Sequence, residues 1–290
     1  MSQQSIGELP RLLHQDEEFW AVIRQFPWSE RVVVEEAYDE VLRAFDSVDD
    51  RKTGERAFEH CRRAGLAMAR FMLAVGCPQG MPVAAELRHD LREDTRVTQP
   101  YESRDDGYRR MPVRYGLLQT RIILLVTRAE DQTEETHLQQ LLAGQDIGYL
   151  ELLKLRSVED QILDWVTRVV RLSGHVVRRA LGQPMPVRRY LLPRQEWGHF
   201  LALVIKLFDR IDNLRTYCHP KVYGNRPEHL RYKLELTKRY YVPMAEKVVA
   251  MAPKNWKWAL EVMVQQPLLE LIAKCEAFLD GPNHDRECGS

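Results

Sequence analysis

EWGHFLALVIKLFDRIDNLRTY, residues 196–217, reads as one strong helix, because its apolar residues keep a helical pattern over a run too long for a strand. Within it Asp209 stands in an apolar context, where an unpaired carboxylate is costly and a cation would relieve it. Outward from this segment the chain stays helical. ERVVVEEAYDEVLRAF (30–45) repeats its apolar residues at three- and four-residue steps, with Ser29 placed to cap it. Residues 57–75 set Ala64, Ala67, Met68 and Phe71 on one face, and CPQGMP (77–82) breaks that helix. VAAELRHDLRED (83–94) reads as the next helix. Residues 95–109 are polar, hold Pro100 and Gly107, and read as a loop. Residues 115–181 return to a helical pattern, although RIILLV (121–126) alone could form a short strand. RPEHLRYKLELTKRYYVPMAEKVVAM (226–251) and NWKWALEVMVQQPLLELIAKCEAFL (255–279) close the pattern before a loose tail. The expected fold is all-α, a helical bundle.

The bulk properties set limits. The chain has 290 residues, enough for one large domain or two ordinary ones. Its 42 Lys and Arg balance its 42 Asp and Glu, so no global field draws it to nucleic acid or to a membrane surface. No apolar run approaches the length of a membrane span. The acidic N-terminal stretch lacks a signal core. Cys61, Cys77, Cys218, Cys275 and Cys288 are odd in number and form no CxxC pair, which fits a reducing cytoplasm rather than a disulfide framework. Trp165, Trp197, Trp256 and Trp258 read as core aromatics.

Four side chains in three blocks carry the chemistry: His60, the adjacent His89 and Asp90, and Asp209. Two imidazoles and two carboxylates form a mixed shell suited to a divalent first-row metal, with Mn2+ preferred and Fe2+ or Zn2+ also fitting. If the doublet lies on a helix, His89 sits above Glu93 and Asp90 above Asp94, since residues four apart share a face. Glu93 and Asp94 could then orient a water or accept its proton. Taken alone, the same stretch could be a solvated charged face. The block ending in His60 begins with Arg51 and Lys52, with Gly54 permitting a turn between. Two cations beside a turn suit phosphate recognition, and the planar guanidinium of Arg51 could stack on a purine. Asn213, four residues after Asp209, could bond a sugar hydroxyl or a phosphate.

The order H…HD…D is that of the HD metal-dependent phosphohydrolases, and the three blocks together resemble the hydrolase domain of the RelA/SpoT alarmone family. The family pattern R-K-S/T-G-E-P-Y-x-x-H is matched by Arg51-Lys52-Thr53-Gly54-Glu55-Arg56-Ala57-Phe58-Glu59-His60. L-H-D-V-x-E-D-T is matched by Arg88-His89-Asp90-Leu91-Arg92-Glu93-Asp94-Thr95, and I-K-L-A-D-R-L-x-N-x-R-T by residues Ile205 to Thr216. Tyr241-Val242-Pro243-Met244-Ala245 is similar to the family's Y-x-P-L-A. The resemblance implies manganese held by His60, His89, Asp90 and Asp209, with Glu93 and Asp94 serving the attacking water. It implies a nucleotide pocket lined by Arg51, Lys52, Thr53, Asn213 and Thr216. The implied reaction removes the 3′-pyrophosphate of ppGpp or pppGpp, or of the adenosine analogue ppApp. The implied setting is the stringent response.

The chain departs from the family at Arg56, Ala57, Cys61, Arg88 and Phe208, changes that could reshape base recognition. Asp90 and Asp209 are also much further apart than in the familiar enzymes. Residues 96–195 therefore read as a largely helical insertion that could lid the site, mediate homo-oligomer formation or bind a regulator. The expected organisation is an N-terminal extension (1–28), an HD hydrolase domain (29–262) and a C-terminal helix and tail (263–290). Only a helix or two follows the matched region, so a hydrolase without a synthetase domain is expected. Two alternatives stay open: an HD phosphohydrolase of another nucleotide, such as a dNTP or NADPH, and a non-catalytic alarmone-binding regulator.

Overall fold

The computed structural model describes residues 8–46, 55–91, 117–128, 132–144, 194–217 and 227–281. Those residues are mostly helical and contain no strand, so the all-α expectation holds. RIILLV belongs to a helix, Leu117–Val126. The chain divides into two compact units, residues 1–95 with 203–290, and residues 96–202.

In the first unit the helices are α1 (Glu8–Ile23), α2 (Trp28–Phe45), α3 (Ala57–Ala74) and α4 (Gly80–Leu87). In the second, α5 (Leu117–Val126) and α6 (Glu134–Ala143) precede the start of α7 (Arg194–Tyr217). The first unit continues with α7 from residue 203, then α8 (Pro227–Leu236), α9 (Val242–Met251), α10 (Lys257–Leu260) and α11 (Gln266–Leu279). No described helix is long and apolar enough to cross a membrane.

The stretch expected as an N-terminal extension carries α1. Its Phe19 and Ile23 are buried, as is Phe26 just beyond it. Phe19 lies 5.1 Å from the ring of Tyr38 on α2, which meets Phe58 on α3 edge-on at 5.0 Å. Such offset and edge-on pairs add to the area that the rings bury. The helix after it begins two residues earlier than expected. Pro27 occupies the cap position without a side-chain hydrogen bond, and Ser29 lies inside the first turn of α2.

α4 packs against both α2 and α3. Gly80 makes this possible, because a Cβ there would stand 2.0 Å from the backbone oxygen of Glu30. The Gly80 amide donates to the Glu30 carboxylate at 2.8 Å, which satisfies one of the amides left open at a helix start. The entry of α4 is thus tied to α2, and its far end is aimed at the region around α3 and α7.

Two helices in the C-terminal part contain a π-helical turn, Thr237–Tyr241 and Glu261–Gln265. Each turn ends two residues before a proline, Pro243 and Pro267. A proline inside a helix removes one amide donor and collides with the preceding turn. One extra residue in that turn lets the helix run on. The first turn also sets Tyr241 against α7, where its hydroxyl accepts from Arg210 at 3.0 Å and its ring lies 4.3 Å from the guanidinium. Trp256 is fully buried, whereas Trp258 is 67% exposed and is not the core residue its type suggested. Trp165 lies outside the described residues.

Candidate metal centre

Three elements of the first unit converge on one buried volume. α3 supplies His60, the turn after α4 supplies His89 and Asp90, and α7 supplies Asp209. His60 and His89 are almost completely buried, and Asp209 is 8% exposed. Potential ligand atoms of His60, His89 and Asp90 all lie within 4.8 Å of one another. Asp209 Oδ1 stands 3.3 Å from His60 Nε2 and 3.8 Å from His89 Nε2. Asp90 offers Oδ2 at 3.4 Å to His60 Nε2 and Oδ1 at 3.1 Å to His89 Nε2.

Each imidazole is fixed through its other nitrogen. His60 Nδ1 lies 2.8 Å from Asp212 Oδ2, and His89 Nδ1 lies 2.6 Å from the backbone oxygen of Glu86. Donation from Nδ1–H to these oxygens turns the Nε2 lone pair of each ring toward the shared volume. Both Nε2 atoms are buried and neither makes a hydrogen bond. Two such nitrogens facing two carboxylates fit a divalent cation, by donor chemistry as well as by position.

The doublet does not lie on a helix as its sequence pattern predicted. α4 ends at Leu87, and residues 88–90 form a turn. The cause is local. The His89 ring takes the Glu86 carbonyl, an acceptor that a continuing helix would need, and the His89 amide reaches the same oxygen at 3.3 Å. Arg88 is drawn aside as well, donating to the buried carboxylate of Glu40 on α2 at 2.8 Å. The turn lets neighbouring residues His89 and Asp90 point into one volume, which a straight helix would spread by about 100°.

Charge in the centre is strongly coupled to this crowding. Burial opposes protonation of His60, but the neighbouring carboxylates of Asp209, Asp212 and Asp90 raise its pKa to about 9. His89 rises well above the usual imidazole value, against burial, through Asp90 and Asp209. Asp90 falls to about 2 although burial opposes it, because His89 and His60 stand beside it. Asp209 is held well below the usual range, again against burial, by Lys206 and the two imidazoles. All four shifts have one origin: the carboxylates call for added positive charge in a volume that excludes water.

Asp209 is braced by its own helix. Asn213 Nδ2 donates to Oδ1 at 2.6 Å, and Lys206 Nζ is 3.5 Å from Oδ2. Thr216 in turn donates to the Asn213 carbonyl at 2.8 Å. Asn213 and Thr216, expected at the nucleotide, therefore sit one and two turns beyond a candidate ligand. Arg51, Lys52, Thr53, Glu93 and Asp94 lie outside the described residues. Of the departures, Cys61 is fully buried, and the ring of Phe208 meets that of Phe71 at 6.1 Å.

Two acidic residues at the centre escaped the sequence reading. Asp212 bridges His60 and Arg63, accepting from Arg63 Nε at 2.8 Å and Nη2 at 2.9 Å. Arg63 is also paired with Glu55. The signal was present: Asp212 follows Asp209 by three residues and so shares its helix face. Burial is opposed by His60 and Arg63, which hold the Asp212 carboxyl far below its usual range. Glu86, one turn before Asp90 in an apolar run, is fully buried with neither carboxyl oxygen hydrogen-bonded. Burial pushes its carboxyl up to about 8.

Asp212→Asn should weaken Mn2+ binding by about tenfold to a hundredfold, the range for removing a carboxylate behind a ligating histidine. The asparagine oxygen can still accept from Arg63, but the negative charge behind His60 is gone. Isothermal titration of metal-stripped protein measures this directly. Unchanged affinity would reduce Asp212 to a structural partner of Arg63.

No protein-family model matches the chain, and no curated protein is similar enough to it to count as a match.

Proposed function

We propose that this protein is a metal-dependent hydrolase that removes the 3′-pyrophosphate of a guanosine or adenosine alarmone. The observation that carries the reading is the pair of buried, unbonded Nε2 atoms of His60 and His89 facing Asp90 and Asp209. The motifs that these residues occupy add the substrate class through their resemblance to the RelA/SpoT hydrolase domain.

His60, His89, Asp90 and Asp209 would hold the ion, with Mn2+ the preferred species. When bound, the ion supplies Lewis-acid polarisation and lowers the pKa of water. Glu93 and Asp94, just beyond the turn, orient the attacking water and take its proton. Arg51 and Lys52 hold the phosphates, and Thr53, Asn213 and Thr216 complete the nucleotide pocket. The water oxygen bonds to the phosphorus next to the ribose 3′-oxygen, and the bond between that phosphorus and oxygen breaks. A proton goes to the 3′-oxygen, giving GDP or GTP (or the adenosine counterpart) and free pyrophosphate.

The test is a turnover panel of ppGpp, ppApp and NADPH with Mn2+, with products separated by chromatography. Pyrophosphate should be released from ppGpp or ppApp, and the reaction should stop on chelation. Release of orthophosphate from all three would replace this reading with a nucleotide phosphatase.

A further inference from the structure

We propose that Glu86 is a positioning residue of the metal centre, holding His89 from behind its Nδ1 as Asp212 holds His60. The inference rests on the reading of His60, His89, Asp90 and Asp209 as metal ligands.

Three observations carry it. Glu86 is completely buried, between Ala85 and Leu87, which are buried as well. Neither of its carboxyl oxygens has a hydrogen-bond partner. Its Oε1 stands 3.9 Å from His89 Nδ1, on the side of the ring away from Nε2. A carboxyl at such a position weakens the fold, because an apolar side chain of similar volume would fill the space without a stranded polar group. Stability therefore gives no account of it, while its neighbour does.

At present His89 Nδ1 bonds the Glu86 backbone oxygen at 2.6 Å. A small rotation of the ring carries Nδ1–H from that carbonyl to Oε1 of the same residue. Glu86 thus gives His89 two acceptors, one rigid and one on a flexible stem. The ring can follow an ion bound at Nε2 without leaving Nδ1–H unsatisfied. An acceptor on Nδ1–H also strengthens Nε2 as a ligand. The two histidines then share one plan: a ligand nitrogen facing the centre and a carboxyl group behind the ring, Asp212 for His60 and Glu86 for His89.

The experiment uses the 290-residue chain, stripped of metal and titrated with Mn2+ alone in a calorimeter, alongside thermal unfolding of the stripped protein. Glu86→Met keeps the volume and removes both oxygens. It should lower Mn2+ affinity by about tenfold or more and raise the unfolding temperature of the metal-free protein. Glu86→Gln keeps an acceptor oxygen at the same reach and should recover most of the affinity. A purely structural Glu86 would give the opposite pattern, with Glu86→Met less stable and its affinity within about twofold of the parent. That pattern overturns the proposal, as does a Glu86→Gln protein that binds as weakly as Glu86→Met. Failure of the parent protein to bind Mn2+ overturns the metal centre itself and this inference with it, an outcome distinct from the other two.

Discussion

Asp209→Ala is expected to empty the metal centre and to lower alarmone turnover by more than about a thousandfold, the scale of several kcal/mol of charge stabilisation lost. Asp209 is the point where the three elements meet. Its Oδ1 faces His60 Nε2 and His89 Nε2, and its position is fixed by Asn213 and Lys206. Alanine removes one negative charge from a volume whose two imidazoles are already easily protonated. The remaining set, two imidazoles and Asp90, attracts a cation less. Metal content of the purified variant and its turnover should fall together, with the helical circular dichroism preserved. Full occupancy with parental turnover would remove Asp209 from the site.

Glu93→Gln and Asp94→Asn should leave metal and substrate bound while turnover falls by about a hundredfold or more, the scale of general acid–base contributions. Both substitutions keep size and hydrogen-bonding capacity and remove the charge that accepts a proton. The turn at residues 88–90 changes the geometry behind this expectation without removing it. Glu93 and Asp94 follow the doublet by a few residues in sequence and lie outside the described residues. Single-turnover kinetics separate binding from chemistry. Parental rates in both variants would make the pair an ordinary charged surface.

The fold class was legible because helical periodicity is a property of long segments. The apolar pattern of residues 196–217 survives any single polar insertion, and α7 forms over the whole stretch. Asp209 was legible because a carboxylate is costly in apolar surroundings unless paired, and His60, His89 and Asp90 were legible through the order H…HD…D. Asp212 and Glu86 fall outside that order. They were missed because their roles depend on which ring nitrogen faces which way, and tertiary packing decides that. The end of α4 was misread for a related reason. A histidine ring competing for a backbone carbonyl is a local event that periodicity does not register. Trp258 shows the reverse error: its size pointed inward, but it is exposed beside the buried Ala259 and Leu260.

On the proposed function, His60, His89, Asp90 and Asp209 enclose a single metal site. Anomalous scattering at the manganese edge, from crystals of the protein grown with Mn2+, tests it most directly. The account predicts one strong peak in the first unit, at bonding distance from Nε2 of both histidines and from a carboxylate oxygen of each aspartate. A peak elsewhere, or none between these four side chains at saturating Mn2+, would contradict it.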